Sequence, residues 1–224
     1  MTAPRLTLYQ SNGSSAFVPH AVLLHFGIPF TTILMIEGPE GYESADGTIS
    51  HAAYLKIHPQ GFVPVLDVDG ETLTEVPALL NYIASLVPKA RLVGDEGLGR
   101  ARVAEWLNFL SGTLHGNGLA MLKRPGRFAD DPAAFDALRV KGKKVVRSCF
   151  ARIDGQLEGR EFAVGDALTA ADFYLYGFAR LGREIRFDME TDFPNYAAHA
   201  RRAEGFDGVR KAIKAEGLEF SYSG

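Results

Sequence analysis

A proline stands at the start of an apparent strand in the segment Ile57-His-Pro-Gln-Gly-Phe-Val-Pro-Val-Leu66. Proline removes a hydrogen-bond donor from a strand and is tolerated mainly at an edge or a strand start, where a cis peptide bond is one way to build it. A cis bond between Val63 and Pro64 would leave the backbone N–H and C=O of Val63 available to a peptide-like ligand. An ordinary trans turn is the alternative reading of this segment.

A carboxylate stands directly before a predicted helix in the segment Thr74-Glu-Val-Pro77. Glu75 could pair with an ammonium group, while the amides at the start of the helix could hold a carboxylate. This arrangement suits the two ends of a zwitterion. The alternative is that Glu75 only offsets the dipole of the helix.

A third motif is structural. Thr169-Ala-Ala-Asp172 precedes Phe173 and Tyr174 and has the spacing of a capping box, with Asp in place of the usual Glu or Gln. It predicts the start of a buried helix and no chemistry.

The first half of the chain alternates strand and helix patterns. Residues 6–9 predict a strand, residues 11–15 a turn, and residues 17–26 a helix that Gly27 and Pro29 end. Residues 30–36, rich in Thr and Ile, predict a second strand. The polar stretch 38–48 reads as a loop that could shape a particular site.

A hairpin and a helix follow this loop. Residues 62–66 and 71–74 predict two strands joined at Asp69-Gly70, and Pro77 opens a helix that Pro88 ends. The order is βαβ, a possible short helix, then ββα, which is a thioredoxin-like α/β arrangement.

The second half of the chain shows helical spacing throughout. Glycine and proline interrupt residues 88–98, and apolar side chains then recur at helical intervals. We therefore expect an α/β domain over residues 1–87, a linker over 88–98 and an all-helical bundle over 99–224.

Composition limits the class of protein. The 224 residues carry a formal net charge of −3, which argues against nucleic acid or an anionic membrane as the main partner. Cys149 is the single cysteine, so no internal disulfide can form, and a reducing compartment is expected. The N-terminal residues lack a signal-peptide pattern. We expect a soluble cytoplasmic protein without a metal.

Together the motifs resemble the glutathione S-transferase superfamily over nearly the whole chain, and the beta class most closely. Residues 9–20 (Tyr-Gln-Ser-Asn-Gly-Ser-Ser-Ala-Phe-Val-Pro-His) and residues 105–115 (Glu-Trp-Leu-Asn-Phe-Leu-Ser-Gly-Thr-Leu-His) are similar to the signatures of that class. The resemblance implies a glutathione transferase, with glutathione as co-substrate. It implies a glutathione-binding set of Val63, Pro64 in cis, Glu75, the amide of Val76, and Asn108.

Two residues depart from the pattern of the family. Ser15 stands where the beta class carries a cysteine, which removes the mixed-disulfide chemistry of that class. Val76 stands where many transferases have a serine, so a hydroxyl that would bond the γ-glutamyl carboxylate is missing. A hydrogen bond to a charged group contributes ~1.5–3 kcal/mol, so weaker glutathione binding is expected.

A transferase must present glutathione as a thiolate, because only a few per cent of a thiol with a pKa of ~8.5 is ionised at neutral pH. Ser15, at the strand-to-helix turn, is the first candidate to donate to the sulfur, and a simple N-cap is its alternative role. Ser14, Ser11 and Tyr9 are competing hydroxyls. The resemblance adds His115 as a catalytic candidate, while His20 and His58 read as structural.

An apolar electrophile is the expected second substrate. The residues expected to line its site are Leu119, Met121, Leu122, Phe128 and Tyr174. The resemblance also implies a homodimer, in which Phe62 inserts into the partner. Two alternatives remain open: a non-catalytic binding or scaffold protein, and a pathway-dedicated glutathione-dependent isomerase or conjugating enzyme.

Overall fold

The computed structural model describes residues 3–222, and the chain divides into two compact units. One unit contains the chain up to Leu92 together with the chain from Glu204 onward, and the other contains Val93–Ala203. The sequence pattern assigns residues 204–224 to the helical half, whereas residues 204–222 pack with the first unit because their helix buries one face on the first helix of the chain.

A five-stranded mixed sheet forms the centre of the first unit. Its strands are β1 (Leu6–Gln10), β2 (Thr31–Glu37), β3 (Tyr42–Ser44), β4 (Val65–Val68) and β5 (Glu71–Leu73), in the order β3-β2-β1-β4-β5. Strands β1 and β2 are parallel, and the other neighbours are antiparallel. The predicted thioredoxin-like order is confirmed, with one added strand.

The added strand β3 lies in the stretch 38–48, which the sequence analysis read as a loop. That reading was wrong for three residues. Tyr42 and Ser44 are buried on one side while Glu43 points away, and Met35 of β2 pairs with Ser44. A three-residue strand among glycines and charges is too short to show a periodic pattern, and the buried Tyr42 is what fixes it to the sheet.

Four helices belong to the first unit: α1 (Phe17–His25), α2 (His51–Ile57), α3 (Val76–Leu86) and α10 (Asp207–Ala215). Gly27, at φ 61°, ends the turn after α1 as the sequence predicts. Helices α1 and α10 approach so closely that a Cβ on Gly208 would lie 2.6 Å from the backbone nitrogen of His25 and nearer still to the carbonyl oxygen of Ala21. Only glycine fits there.

The second unit is built from helices α4 (Leu98–Asn108), α5 (Ala120–Lys123), α6 (Phe135–Leu157), α7 (Ala170–Glu184), α8 (Met189–Asp192) and most of α9 (Pro194–Glu204). A π-helical stretch, Phe109–Leu119, joins α4 to α5 without a break. Gly142 of α6 packs closely on this stretch. A Cβ at position 142 would lie only 2.8 Å from the carbonyl oxygen of Gly118.

The predicted capping box of α7 is confirmed. The Asp172 carboxylate is fully buried and accepts hydrogen bonds from the backbone N–H of Thr169 at 2.8 Å and of Ala163 at 2.8 Å. It also lies 2.9 Å from Nε2 of His199, which is buried as well. Asp172 therefore links the start of α7 to the preceding loop and to α9.

Two properties of residues 3–222 concern membranes and metal ions. Across these residues no helix is long and apolar enough to cross a membrane. Within the same range, no group of three or more His, Cys, Asp and Glu side chains is placed to hold a metal ion.

Candidate functional site

Three segments of the first unit meet at one end of the sheet. Tyr9 of β1 pairs with Val65 of β4, and Leu66 of β4 pairs with Leu73 of β5. Because both pairings are antiparallel, the end of β1, the start of β4 and the end of β5 lie side by side. The turn after β1, the proline before β4 and the start of α3 therefore share this end of the sheet.

The peptide bond between Val63 and Pro64 is cis, as the resemblance predicts. Tyr54 of α2 fixes the loop before this bond, because its hydroxyl donates to the carbonyl oxygen of Phe62 at 2.7 Å. Burial raises the pKa of the Tyr54 phenol far above its ordinary value, so it stays a donor across the physiological range. Sequence analysis did not select Tyr54.

The turn after β1 separates the competing serines. Ser14 Oγ donates to the carbonyl oxygen of Ser11 at 2.6 Å and accepts from the N–H of Ala16 at 3.2 Å, so it is engaged within the turn. Ser15 Oγ instead lies 3.5 Å from the carbonyl oxygen of Val63, facing the cis-proline loop. The N-cap of α1 is Ala16, without a side-chain cap bond. Ser15 is therefore the serine placed beside the cis-proline loop.

The Tyr9 side chain lies on the face of β1 opposite to that of Leu8 and Gln10. Its ring packs against the apolar cluster of Met35, Tyr42, Tyr54 and Val65, with 5.8 Å between its centroid and that of Tyr54. Burial, and secondarily the carboxylate of Asp67, raise the pKa of the Tyr9 phenol. The alternation of side chains along a strand thus directs Tyr9 away from the face of Leu8 and Gln10.

Glu75 has an unusual backbone at the start of α3. It is the N-cap residue, with φ 68° and ψ 115°, a region that residues other than glycine rarely adopt and that costs about 1–3 kcal/mol. Its side chain is exposed. Pro77 has no N–H, and the N–H of Ala78 donates to the carbonyl oxygen of Glu75. The Val76 amide is therefore the donor that this helix start can offer to a ligand.

His58 lies near Glu75 and is buried. Burial lowers its pKa, while the Glu75 carboxylate acts in the opposite direction. The backbone N–H of Gln60 donates to Nδ1 of His58 at 3.3 Å, and the ring packs edge-on against Phe62. These contacts agree with a structural role in shaping the loop before Pro64.

In the helical unit, Asn108 and His115 lie on one continuous helix. Asn108 is exposed, and its side-chain amide donates to the carbonyl oxygen of Ala104 at 2.8 Å, within its own helix. His115 keeps an exposed surface, yet its ring is crowded by neighbouring atoms and lies 5.6 Å from the ring of Phe178. Their proposed roles stay predictions.

The electrostatic surroundings of His115 are cationic. Desolvation, followed by the charges of Arg124, Arg127 and Lys123, lowers its pKa from 6.5 to about 4. The imidazole is therefore neutral at physiological pH. A neutral ring can donate or accept one hydrogen bond without adding charge.

The predicted second-substrate residues differ in exposure. Leu119, Met121 and Tyr174 are buried, the last with its ring stacked 5.0 Å from that of Phe178. Leu122 is half-buried, and Phe128 is exposed. This set stays a prediction, in which Phe128 offers the most free apolar surface.

A separate cavity of about 590 Å³ lies within the helical unit. Its lining is mostly polar and includes Arg102, Arg152, Arg160, Trp106 and Phe109. The guanidinium of Arg152 lies over the ring of Phe109 at 4.3 Å from its centroid. Among the described residues that line this cavity, none is a predicted site residue.

Sequence analysis missed one contact to the turn after β1. Glu216, which follows α10, is buried, and its Oε2 accepts from the backbone N–H of Gly13 at 2.7 Å. Its Oε1 lies 2.7 Å from Nδ1 of the buried His20 in α1. Glu216 lies 203 positions from Gly13 and 196 from His20, so no local pattern could have indicated these contacts.

The chain is similar to known proteins over both of its halves. The family model for the glutathione S-transferase N-terminal domain matches residues 16–86, and that for the C-terminal domain matches residues 121–205. Glutathione S-transferase GST-4.5 of Xanthomonas campestris pv. campestris is 29% identical over 214 residues, which cover 95% of this chain and 100% of the relative.

Solved structures are also similar. A sphingomonad glutathione S-transferase complexed with glutathione is 32% identical with a TM-score of 0.80, and a beta class glutathione S-transferase of Sphingomonas chungbukensis is 30% identical with a TM-score of 0.82. Each comparison covers 95% of this chain and 100% of the other.

Proposed function

Because the chain belongs to the glutathione S-transferase superfamily, we propose that its first unit binds glutathione and activates the thiol for attack on an electrophile. The single observation that carries this proposal is the meeting of Ser15, the cis Val63–Pro64 bond and Glu75 at one end of the sheet. These three groups can bind a tripeptide with a central thiol at the same time.

Each group has a distinct role in the proposed complex. The backbone of Val63 pairs with the cysteinyl peptide of glutathione as a short added strand. The Glu75 carboxylate receives the γ-glutamyl ammonium, and the Val76 amide at the helix start receives the γ-glutamyl carboxylate. The strained backbone of Glu75 supports this assignment, because such conformations concentrate at ligand-binding sites.

Ser15 is the proposed donor to the sulfur. Its hydroxyl lies beside the cis-proline loop, whereas the Ser14 hydroxyl donates to the backbone carbonyl oxygen of Ser11 and Tyr9 packs on the apolar cluster. A hydroxyl that donates to the thiolate favours the charged form and lowers the thiol pKa. The thiolate then attacks the electrophile.

In the helical unit, Asn108 is the proposed further contact to glutathione and His115 a neutral neighbour of the reacting groups. Leu119, Met121, Leu122, Phe128 and Tyr174 are the proposed second-substrate residues. Their apolar character suits an apolar electrophile. We also propose a cytoplasmic location and a homodimer with a two-fold axis.

The homodimer proposal has its own test. Phe62 is the proposed contact to the partner, beside the cis-proline loop that Tyr54 fixes. Light scattering at micromolar concentration should give twice the mass of the chain, and Phe62→Ala should shift the protein toward the monomer. A wild-type protein that is monomeric at this concentration would contradict the proposal.

A second candidate function rests on a specific observation. Val76 offers no hydroxyl, so a site with weakened glutathione affinity could serve a non-catalytic binding or scaffold protein. Retention on immobilised glutathione followed by a conjugation assay with chlorodinitrobenzene separates the two. Retention with turnover supports the transferase, retention without turnover supports the binding protein, and no retention contradicts glutathione binding.

A further inference from the structure

We propose that Glu216 is a positioning residue for Ser15, so that the C-terminal segment forms part of the machinery that activates glutathione. This inference rests on the proposed function, since it assumes that the Ser15 hydroxyl acts on a bound thiolate. Glu216 touches neither group. It acts on the turn that carries Ser15.

The contact between Glu216 and the turn is short and buried. Its carboxylate accepts from the N–H of Gly13 at 2.7 Å, and the Glu216 side chain is completely shielded from solvent. Gly13 has φ 72°, in the left-handed region that favours glycine. Gly13 lies two residues before Ser15, so its amide fixes the path of the backbone into that residue.

The second oxygen of Glu216 ties the same carboxylate to α1. A carboxylate can only accept, so the imidazole N–H of His20 donates from Nδ1 to Oε1 at 2.7 Å. His20 lies one turn inside the helix that begins just after Ser15, and its ring also packs edge-on against Phe30. One carboxylate therefore holds the residues on both sides of Ser15.

The segment that carries Glu216 is itself anchored. Helix α10 packs on α1 where Gly208 meets the backbone of Ala21 and His25, and the N–H of Gly208 donates to Nδ1 of His25 at 3.3 Å. The approach of α10 to α1 thus sets where Glu216 stands. A change in Glu216 should move Ser15 relative to the Val63 carbonyl without removing a group that touches glutathione.

The chain offers a matched control for Glu216. Glu204 is also buried in the first unit, and its carboxylate accepts from the backbone N–H of Ser221 at 2.8 Å and of Tyr222 at 3.0 Å. These bonds tie down the C-terminal segment. Glu204→Ala therefore measures the effect of losing a buried carboxylate alone.

The experiment measures the pKa of enzyme-bound glutathione from the ultraviolet absorbance of the thiolate, together with kcat and KM. In Glu216→Ala we expect kcat to fall about 10- to 100-fold with the KM for glutathione nearly unchanged, and the thiol pKa to rise toward its free value of ~8.5. Glu204→Ala should leave that pKa unchanged. Hydrogen exchange of the Gly13 amide should accelerate only in Glu216→Ala.

Three further variants keep the test decisive. Glu216→Gln retains the shape of the side chain and one acceptor, so its kcat should lie between those of the wild type and Glu216→Ala. If Glu216→Ala does not fold, the kcat and the thiol pKa of Glu216→Gln are compared with those of Glu204→Gln instead. In a Ser15→Ala background Glu216→Ala should add little, because the two act through one group.

The outcomes distinguish this inference from the proposed function. If Ser15→Ala lowers turnover while Glu216→Ala behaves like Glu204→Ala, the positioning role is wrong and the proposed function stands. If the wild type binds no glutathione, the proposed function fails at its own site, and if Ser15→Ala is fully active, the assignment of the Ser15 hydroxyl fails and the positioning role fails with it. A thiol pKa that is unchanged in Glu216→Ala and Glu216→Gln overturns the inference.

Discussion

The hydroxyl of Ser15 lies 3.5 Å from the carbonyl oxygen of Val63, the residue whose peptide bond to Pro64 is cis. This contact joins the turn after β1 to the loop before β4. A bound cysteinyl peptide would use the same carbonyl, and the Ser15 hydroxyl would then be able to turn to the sulfur.

Ser15→Ala is expected to lower kcat about 10- to 100-fold and to change the KM for glutathione only a few-fold, because the lost donor acts on the thiolate and one such donor contributes at most ~2.7–4 kcal/mol. Steady-state kinetics at saturating electrophile measure this. Ser14→Ala is the control within the same turn. A fully active Ser15→Ala with an inactive Tyr9→Phe would assign the role to the other hydroxyl.

Val76→Thr is expected to tighten glutathione binding by about tenfold or more. The added hydroxyl can donate to the γ-glutamyl carboxylate, and a hydrogen bond to a charged group contributes ~1.5–3 kcal/mol. Val76 is buried, so the variant should also melt at a slightly lower temperature. Val76→Ala, which removes methyl groups without adding a hydroxyl, should not tighten binding, and equal dissociation constants for both variants would contradict the prediction.

The His115 imidazole is expected to titrate near pH 4, well below the ordinary value of ~6.5. Desolvation is the main cause, and Arg124 gives the largest of the three charge effects. An NMR titration of the ring protons measures the midpoint, and Arg124→Gln should move it upward. A wild-type midpoint at the ordinary value would contradict the burial and charge described for this ring.

The same shift has a consequence for stability. Between the ordinary value of ~6.5 and about pH 4 the unfolded chain binds more protons at His115 than the folded chain does, so stability falls as the pH falls through this window. In His115→Gln the urea midpoint should depend less on pH there. Above pH ~7 the histidine is neutral in both the folded and the unfolded chain, so there the urea midpoints of His115→Gln and the wild type should depend on pH in the same way.

Gly208→Ala is expected to destabilise the first unit by about 1–3 kcal/mol, because the new methyl group would overlap the backbone of α1. Gly155→Ala in α6 is the matched control. Its Cβ would meet open space, and alanine is favoured over glycine in a helix by up to ~1 kcal/mol. Urea denaturation compares the two, and a neutral Gly208→Ala would show that α10 does not pack as closely as described.

The parts of the site that depend on local sequence could be predicted. Pro64 at a strand start, Glu75 before a proline-led helix, and the spacing of Thr169 and Asp172 each involve residues within a few positions of one another. Local patterns also gave the sheet and helices of the first unit. The exceptions are β3, whose three residues are too few to show alternation, and α10, which the pattern assigns to the helical half.

The parts that depend on tertiary packing could not be predicted. Ser14 and Ser15 are neighbours of the same type, and only the folded turn shows that one bonds to Ser11 while the other faces Val63. The bond from Gly13 to Glu216 joins positions 203 apart, so no pattern along the chain indicates it. Burial of Leu119 and Met121 follows from neighbouring helices, not from their own spacing.

The central claim is that glutathione is held through Glu75, and calorimetric titration of wild type and Glu75→Gln with glutathione tests it most directly. Losing the carboxylate leaves the ligand ammonium without its charged partner, which costs more than losing a neutral contact. We expect Glu75→Gln to bind at least ~1.5 kcal/mol more weakly, roughly tenfold, with a nearly unchanged melting temperature. Equal dissociation constants for the two proteins, or no heat from the wild type, would contradict the claim.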